Sequence, residues 1–126
     1  MQFKKHFTLD EARRLVPHLR RVFKDVQRRR VRLRDADARL AKLMSKTGGD
    51  IGGANLTSLL MDLVQVNSQL HRVQQMGVLI KDLDRGLLDF PHLRDGREVF
   101  LCWELDEDDI EFWHDLDTGY AGRERL

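Results

Sequence analysis

The chain has 126 residues, of which 41% are hydrophobic, and its 22 basic and 21 acidic residues give a formal net charge of +1. This length fits one globular domain, and the apolar content excludes an intrinsically disordered chain. No apolar run approaches the roughly 20 residues that a membrane-spanning helix needs, so no membrane partner is expected.

The N-terminus and the single cysteine bear on the cellular compartment. Residues 1–7 lack the apolar stretch and the small-residue cleavage site of a secretory signal. Cys102 has no second cysteine with which to form an internal disulfide, which fits a reducing environment. We therefore expect a cytoplasmic protein.

Charge is distributed unevenly along the chain. Residues 13–34 contain ten basic residues and one acid, a balance of +9, whereas residues 104–117 contain eight acids and no Lys or Arg, a balance of −8. Such asymmetry is found in nucleic-acid-binding proteins. It equally fits attraction between the two segments, within one chain or between two copies, and we prefer this second interpretation.

One long helix is predicted from Leu9 to Met44. The preceding residues, Thr8 to Glu11, match a capping box, in which Thr8 and Glu11 each bond the other's backbone amide. Two apolar rows at heptad spacing follow, broken by Arg29, and this pattern is typical of a helix that packs along its whole length. The rows are Ala12, Leu19, Val26, Leu33 and Leu40, and Leu15, Val22, Ala36 and Leu43.

The glycine-rich residues 47–53 should end that helix, and a second helix is predicted from about Asn55. The glycine stretch lacks the Lys-Ser/Thr of a phosphate-binding loop and is interpreted as a linker. The second helix repeats the heptad rows, which predicts an antiparallel, coiled-coil-like hairpin over about residues 8–76. Its rows are Leu56, Leu63, Leu70 and Gly77, and Leu59, Val66 and Val73.

The second helix carries more apolar surface than one seam uses. The additional side chains are Leu60, Met61, Val64 and Met76. They require a second partner, which is either the C-terminal half of the chain or another copy of the protein.

From Gly77 the apolar period becomes two, which predicts antiparallel strands over about residues 77–115 and a tail over 116–126. Asp84 and Arg85 form a plausible tight turn, with Gly86 at positive φ. The predicted fold is therefore a single α+β domain, residues 1–126, with a helical hairpin followed by a sheet of three or four strands.

The last two strands are predicted to pair with Trp103 opposite Phe112 and Leu101 opposite His114. This register would put His114 on the apolar face of the sheet and Cys102 on the other face. Nucleophilic catalysis by Cys102 is then not expected, because the thiol would have no base beside it.

Several sequence blocks resemble one known family. The segment from Ile80 to Pro91 resembles a signature of the bacterial and archaeal proteins grouped as domain-of-unknown-function family 2203. Further matching blocks are Phe7 to Ala12, Leu101-Cys102-Trp103, and Trp113-His114 followed by Gly119, Gly122 and Arg123. The resemblance supports the fold prediction and implies no activity.

Polar side chains among the strands form a candidate ligand or metal cluster. Its members are Lys81, Asp82, Asp89, His92, His114 and Arg123. Imidazole and carboxylate groups can bind zinc, but no paired His or Cys motif accompanies them, so no cofactor is predicted. In the structural alternative, His114 bonds a neighbouring carboxylate and Arg123 clamps the tail to an acidic strand.

The first helix also carries a basic face. Its members are Arg13, Arg14, Arg20, Arg21, Lys24 and Arg28. A basic stripe can follow phosphates, but neither a recognition-helix fold nor stacking aromatic residues accompany it.

The leading hypothesis is a non-enzymatic module that forms a homodimer through its helices. The first helix is longer than the second, which would leave Leu33, Leu40 and Leu43 without a partner in one chain. The first alternative is a small-ligand or metal-binding protein, and the second is nucleic-acid binding through the basic helix.

Overall fold

The computed structural model describes residues 1–47 and 53–126, and within the helices it describes the side chains outside 40–41, 43–47 and 53–55. The predicted linker and Leu40 and Leu43 fall outside these residues or side chains. The fold is α+β, and no helix among the described residues combines the length and apolar character needed to cross a bilayer. The elements are α1 (Leu9–Thr47), α2 (Gly53–Gln75), β1 (Leu79–Asp82), β2 (Leu87–Arg94), β3 (Arg97–Glu104), β4 (Phe112–Asp115), a 3-10 turn (Tyr120–Gly122) and β5 (Glu124–Arg125).

Helix α1 begins at the predicted capping box. The Glu11 amide donates to Thr8 Oγ1 at 3.1 Å, and the Thr8 amide donates to Glu11 Oε1 at 3.3 Å. The apolar side of its first half is buried in the core, because residues three or four apart share one face of a helix. The fully or nearly fully buried side chains are Ala12, Val16, Leu19, Phe23 and Val26.

The two helices contact one another through ion pairs as well as apolar side chains. Asp62 on α2 is buried and accepts hydrogen bonds from Arg29 at 2.9 Å and Arg32 at 2.6 Å. The expectation that Leu56 and Leu63 pack in the helix seam is wrong, because both are about half exposed. Asp62 takes the inward position instead, where Arg29 interrupts the apolar row of α1.

The sheet has five antiparallel strands in the order β1-β2-β3-β4-β5, rather than three or four. The fifth strand and the 3-10 turn lie in the segment that was predicted to be a tail. Gly86 has a φ of 64°, as predicted for the turn before β2. A Cβ atom there would lie 2.7 Å from the Cβ of Leu105, so both the backbone conformation and the space require glycine.

The register of β3 and β4 differs by one residue from the prediction. Leu101 lies opposite Trp113 and Cys102 opposite Phe112, whereas His114 lies opposite Phe100. Since a shift of one residue exchanges the faces of a strand, Trp113 contributes to the core and His114 does not. His114 and Cys102 therefore share the face of the sheet that points away from the helices.

We call the two sides of the sheet the core face and the outer face. The core face packs against α1 through side chains that include Leu88, Phe90, Val99, Leu101, Trp103 and Trp113. The outer face carries Asp89, Phe100, Cys102, Phe112 and His114. Because five consecutive residues are buried in both β2 and β3, the outer face is covered as well.

Two sets of long-range contacts fix the chain around the sheet. Glu98 on β3 accepts hydrogen bonds from the amides of Gln2 and Phe3 and bonds the His6 ring at 2.8 Å. Arg13 donates to the Ile110 carbonyl, and Arg20 donates to the backbone carbonyls of the acidic loop between β3 and β4. The basic helix and the acidic segment are thus partly matched within one chain.

Candidate metal centre

Three neighbouring strands bring Asp89, Cys102 and His114 together on the outer face. Asp89 on β2 and Cys102 on β3 are directly opposed in the register. His114 on β4 is opposed to Phe100, two residues from Cys102 and therefore on the same face. Directly opposed and diagonal positions are close enough for side chains to interact, so the sheet register alone assembles the group.

The three side chains converge at their ligand atoms. One atom from each residue, a carboxylate oxygen, a thiol sulfur and a ring nitrogen, lies within 4.8 Å of the other two. His114 Nε2 is 3.0 Å from Oδ1 and 3.1 Å from Oδ2 of Asp89. Tetrahedral zinc with bonds of about 2.0–2.3 Å would hold such atoms roughly 3.3–3.6 Å apart, so adjustments of about an ångström would complete the site.

The second ring nitrogen of His114 is held by the backbone. His114 Nδ1 lies 2.7 Å from the Asp115 carbonyl oxygen. A carbonyl oxygen only accepts, so Nδ1 carries the proton and donates it. Nε2 then either carries a second proton toward Asp89 or directs its lone pair at a metal ion. An imidazole that donates its other N–H to a backbone carbonyl is the usual arrangement of a metal-binding histidine.

The surroundings fix the protonation of the group when no metal is bound. Burial and the neighbouring Asp89 carboxylate raise the pKa of Cys102 to about 12, so the thiol keeps its proton. Burial lowers the pKa of His114, but the hydrogen bonds to Asp89 and the Asp115 carbonyl outweigh burial and raise it. The raised pKa of His114 favours a charged imidazole beside Asp89, and the raised pKa of Cys102 favours a neutral thiol. Cys102 is therefore not a nucleophile in this state.

Aromatic and cationic side chains cover the group. The Phe100 ring lies 5.4 Å from the His114 ring, and Lys81 Nζ lies 4.9 Å from the centre of the Phe100 ring. On the side of β4 and β5, the Arg123 guanidinium stacks 4.0 Å from the Phe112 ring. Exclusion of water by these side chains strengthens electrostatic interactions within the group.

The structure unites some of the residues predicted as a ligand cluster and separates others. Asp89 and His114 are in direct contact. Lys81 lies over the ring of Phe100, which in turn packs beside His114. Asp82 instead accepts a hydrogen bond from the Arg85 amide, and His92 Nδ1 bonds the Phe7 carbonyl oxygen at 2.7 Å.

Arg123 is also predicted as a cluster residue, and its Nη2 donates to both carboxylate oxygens of Glu107, at 2.8 and 2.7 Å. This contact fastens the C-terminal segment to the acidic loop. Its position over Phe112 nevertheless makes it part of the cover of the group.

The cluster prediction lacked Cys102. The register shift between β3 and β4 had placed its thiol on the wrong face. A signal was present in β2, where Asp89 stands between the buried residues Leu88 and Phe90. A carboxylate in such a strand requires a polar partner on its own face of the sheet.

The predicted basic face of α1 is divided in its contacts. Arg13 and Arg20 donate to backbone carbonyls of the chain, and Arg28 pairs with Asp25 on its own helix. The side chains of Arg14, Arg21 and Lys24 are exposed. Half of the predicted basic stripe is therefore engaged within the domain.

Comparison with known proteins places the whole domain in one family. Residues 5–126 match the family of uncharacterized conserved proteins DUF2203, and the chain belongs to it. No curated protein and no solved structure gives a significant match to the chain.

Proposed function

We propose that this DUF2203 protein binds one transition-metal ion, with Asp89, Cys102 and His114 as its ligands. The observation that carries the proposal is the convergence of these three buried side chains from three strands, with their ligand atoms within 4.8 Å of one another. Among the described residues they are the one such group of metal-binding side chains.

The donor set selects a class of metal. A thiolate and an imidazole favour zinc and its softer neighbours over magnesium and calcium, which prefer oxygen ligands only. Three protein ligands leave one tetrahedral position for water or a small ligand. Because the bound ion would connect β2, β3 and β4 inside a covered site, we propose a stabilising role for it rather than catalysis.

Metal binding would change the protonation of the group. The ion would displace two protons, one from the Cys102 thiol and one from His114 Nε2, because ligand atoms bind a metal in their deprotonated form. The Asp115 carbonyl would continue to accept from Nδ1 and would keep the ring oriented. Affinity for the metal should therefore rise steeply with pH.

The alternative is a buried Asp89–His114 ion pair beside an inert thiol. Elemental analysis of protein purified without chelator or metal-affinity resin distinguishes the two. We expect about one zinc ion, or one ion of a similar transition metal, per chain, because such a site holds a single four-coordinate ion. Metal-free protein that gains neither bound zinc nor melting temperature when zinc is added would contradict the proposal.

Matched variants make this experiment specific. Cys102→Ser and His114→Gln should lose the metal, because each removes a ligand that the ion requires. His71→Gln replaces an exposed histidine of α2 and should retain it. Circular dichroism of each variant verifies that loss of metal does not reflect loss of the fold.

We also propose that α1 and α2 form an antiparallel hairpin as the scaffold for this site. Asp25 on α1 accepts from Gln69, and Asp62 accepts from Arg29 and Arg32. Positions in these pairs rise along one helix as they fall along the other, which supports the antiparallel arrangement. A reducing, cytoplasmic location is part of the proposal, because it would keep the Cys102 thiol available to the metal.

A further inference from the structure

The N-terminal half of α2 buries a charged residue and exposes more large apolar side chains than an ordinary surface helix does. Its inward position is occupied by the buried carboxylate of Asp62, which is held by Arg29 and Arg32. Five apolar side chains point away from the domain instead. They are Leu56, Leu60, Met61, Leu63 and Val64, with exposed fractions of 48%, 53%, 51%, 47% and 55%.

These residues form a continuous surface, which we call the α2 patch. Leu56, Leu60 and Val64 are spaced four apart and form one ridge along the helix, and Leu63 and Met61 flank it. Monomeric proteins rarely leave so many adjacent large apolar side chains in water. The patch therefore indicates an interaction surface.

The charges of α2 determine what kind of partner fits. The helix contains two charged residues, Asp62 and Arg72, and Asp62 is buried. No charged side chain of α2 thus stands on its exposed face from Leu56 to His71. Nucleic acids and anionic lipid surfaces are recognised through Lys and Arg at the contact. The exposed face of α2 offers none from Leu56 to His71, and Arg29 and Arg32 of the neighbouring helix are paired with Asp62. A partner with charged groups at the centre would bury them unpaired.

We infer that the α2 patch is the contact between two copies of this chain, related by a two-fold axis. A second copy brings the same uncharged surface, so that each apolar ridge meets an identical one and no charge is buried. Ridges spaced four residues apart interlock with one another in the commonest class of helix packing. This inference is independent of the metal site, which lies on the outer face of the sheet.

Sedimentation equilibrium of the full-length protein, from about 5 to 200 micromolar, tests the inference. This range covers a dimer whose dissociation constant lies in the micromolar range. We expect a mass that rises toward twice the 14.8 kDa of the chain. The double variant Leu60→Glu/Val64→Glu should remain monomeric throughout. Leu93→Glu, an exposed leucine of β2, is the matched control and should dimerise like the natural chain.

A cross-linking measurement does not depend on the stability of the glutamate variants. Val64→Cys should be joined to its counterpart in a second copy by a short bismaleimide, whereas Leu93→Cys should not. The natural thiol does not interfere, because Cys102 is fully buried. Two outcomes would overturn the inference: a natural chain that stays monomeric over the whole concentration range, whether or not it sediments with phosphatidylglycerol vesicles, or a dimer that persists in Leu60→Glu/Val64→Glu.

Discussion

Arg29 and Asp62 meet at 2.9 Å between the two helices, at a level where the heptad pattern of α1 would place an apolar residue. The side chain of Asp62 is 3% exposed, whereas that of Arg29 is 24% exposed. Arg32 contributes a second guanidinium to the same carboxylate. The buried Asp62 carboxylate finds both guanidiniums only where Arg29 and Arg32 lie beside it. This requirement fixes how the two helices align along their lengths.

Replacing Asp62 with Ala should destabilise the protein by about 1–3 kcal/mol, because Arg32 loses its carboxylate partner and Arg29 keeps only Asp25. The double variant Arg29→Met/Asp62→Leu should regain most of that stability, since an apolar pair of similar volume needs no compensation. Urea unfolding measures both free energies. Equal losses in the single and double variants would contradict this account.

The metal-free protein should lose stability as pH rises. His114 has a raised pKa in the folded state, so its pairing with Asp89 stabilises fully below the ordinary pKa of 6.5 and is lost as pH rises through the folded value. Cys102 has a pKa of about 12 when folded against an ordinary value of 9.0, so ionisation of the unfolded thiol lowers stability further above pH 9.0. The charge of Lys81 partly opposes the rise in the pKa of His114, and the charge of Arg123 partly opposes the rise in the pKa of Cys102.

Urea unfolding in the presence of a chelator measures this dependence. The pH range of about 5.5 to 10 brackets the ordinary pKa values of His, about 6.5, and of Cys, about 8.5–9. His114→Gln should remove the decrease near neutral pH, and Cys102→Ala should remove the decrease in the alkaline range. A natural chain whose stability is flat between these limits would show that the His114–Asp89 pair is not charged in the folded state.

Gly86 and Gly96 allow the cost of a positive φ to be separated from the cost of a steric clash at Cβ. Gly86 and Gly96 have φ values of 64° and 76°, but a Cβ at Gly86 meets Leu105 whereas nothing lies within 4 Å of one at Gly96. Gly96→Ala should therefore cost about 1–2 kcal/mol, the penalty of the left-handed conformation alone. Gly86→Ala should cost more, because Leu105 must also move. Thermal unfolding of the two variants compares them directly, and equal costs would contradict the collision.

Local signals in the sequence predicted most of the helical half. The capping box at Thr8 and Glu11 fixed the start of α1, and the turn at Gly86 was recognised from its glycine, because both depend on neighbouring residues. The β3–β4 register could not be predicted in the same way. Both faces of β3 are buried, so the alternation of Leu101, Cys102 and Trp103 did not indicate which residues face the helices.

The candidate site depended on that register. Asp89 and His114 were identified individually, but their union with Cys102 requires the pairing of three strands that are distant in sequence. The inward position of Asp62 could not be predicted for a related reason. Its partners, Arg29 and Arg32, belong to the other helix, and the sequence of α2 alone does not reveal them.

The contacts between α1 and the acidic loop have a consequence for the order of folding. Arg13 and the Ile110 carbonyl are separated by 97 residues, and Arg20 and the Glu107 carbonyl by 87. During synthesis, the apolar face of α1 emerges long before the strands that cover it. Nascent chains that end before β3 should therefore expose Leu19 and Phe23 and should depend on chaperones until the sheet is complete.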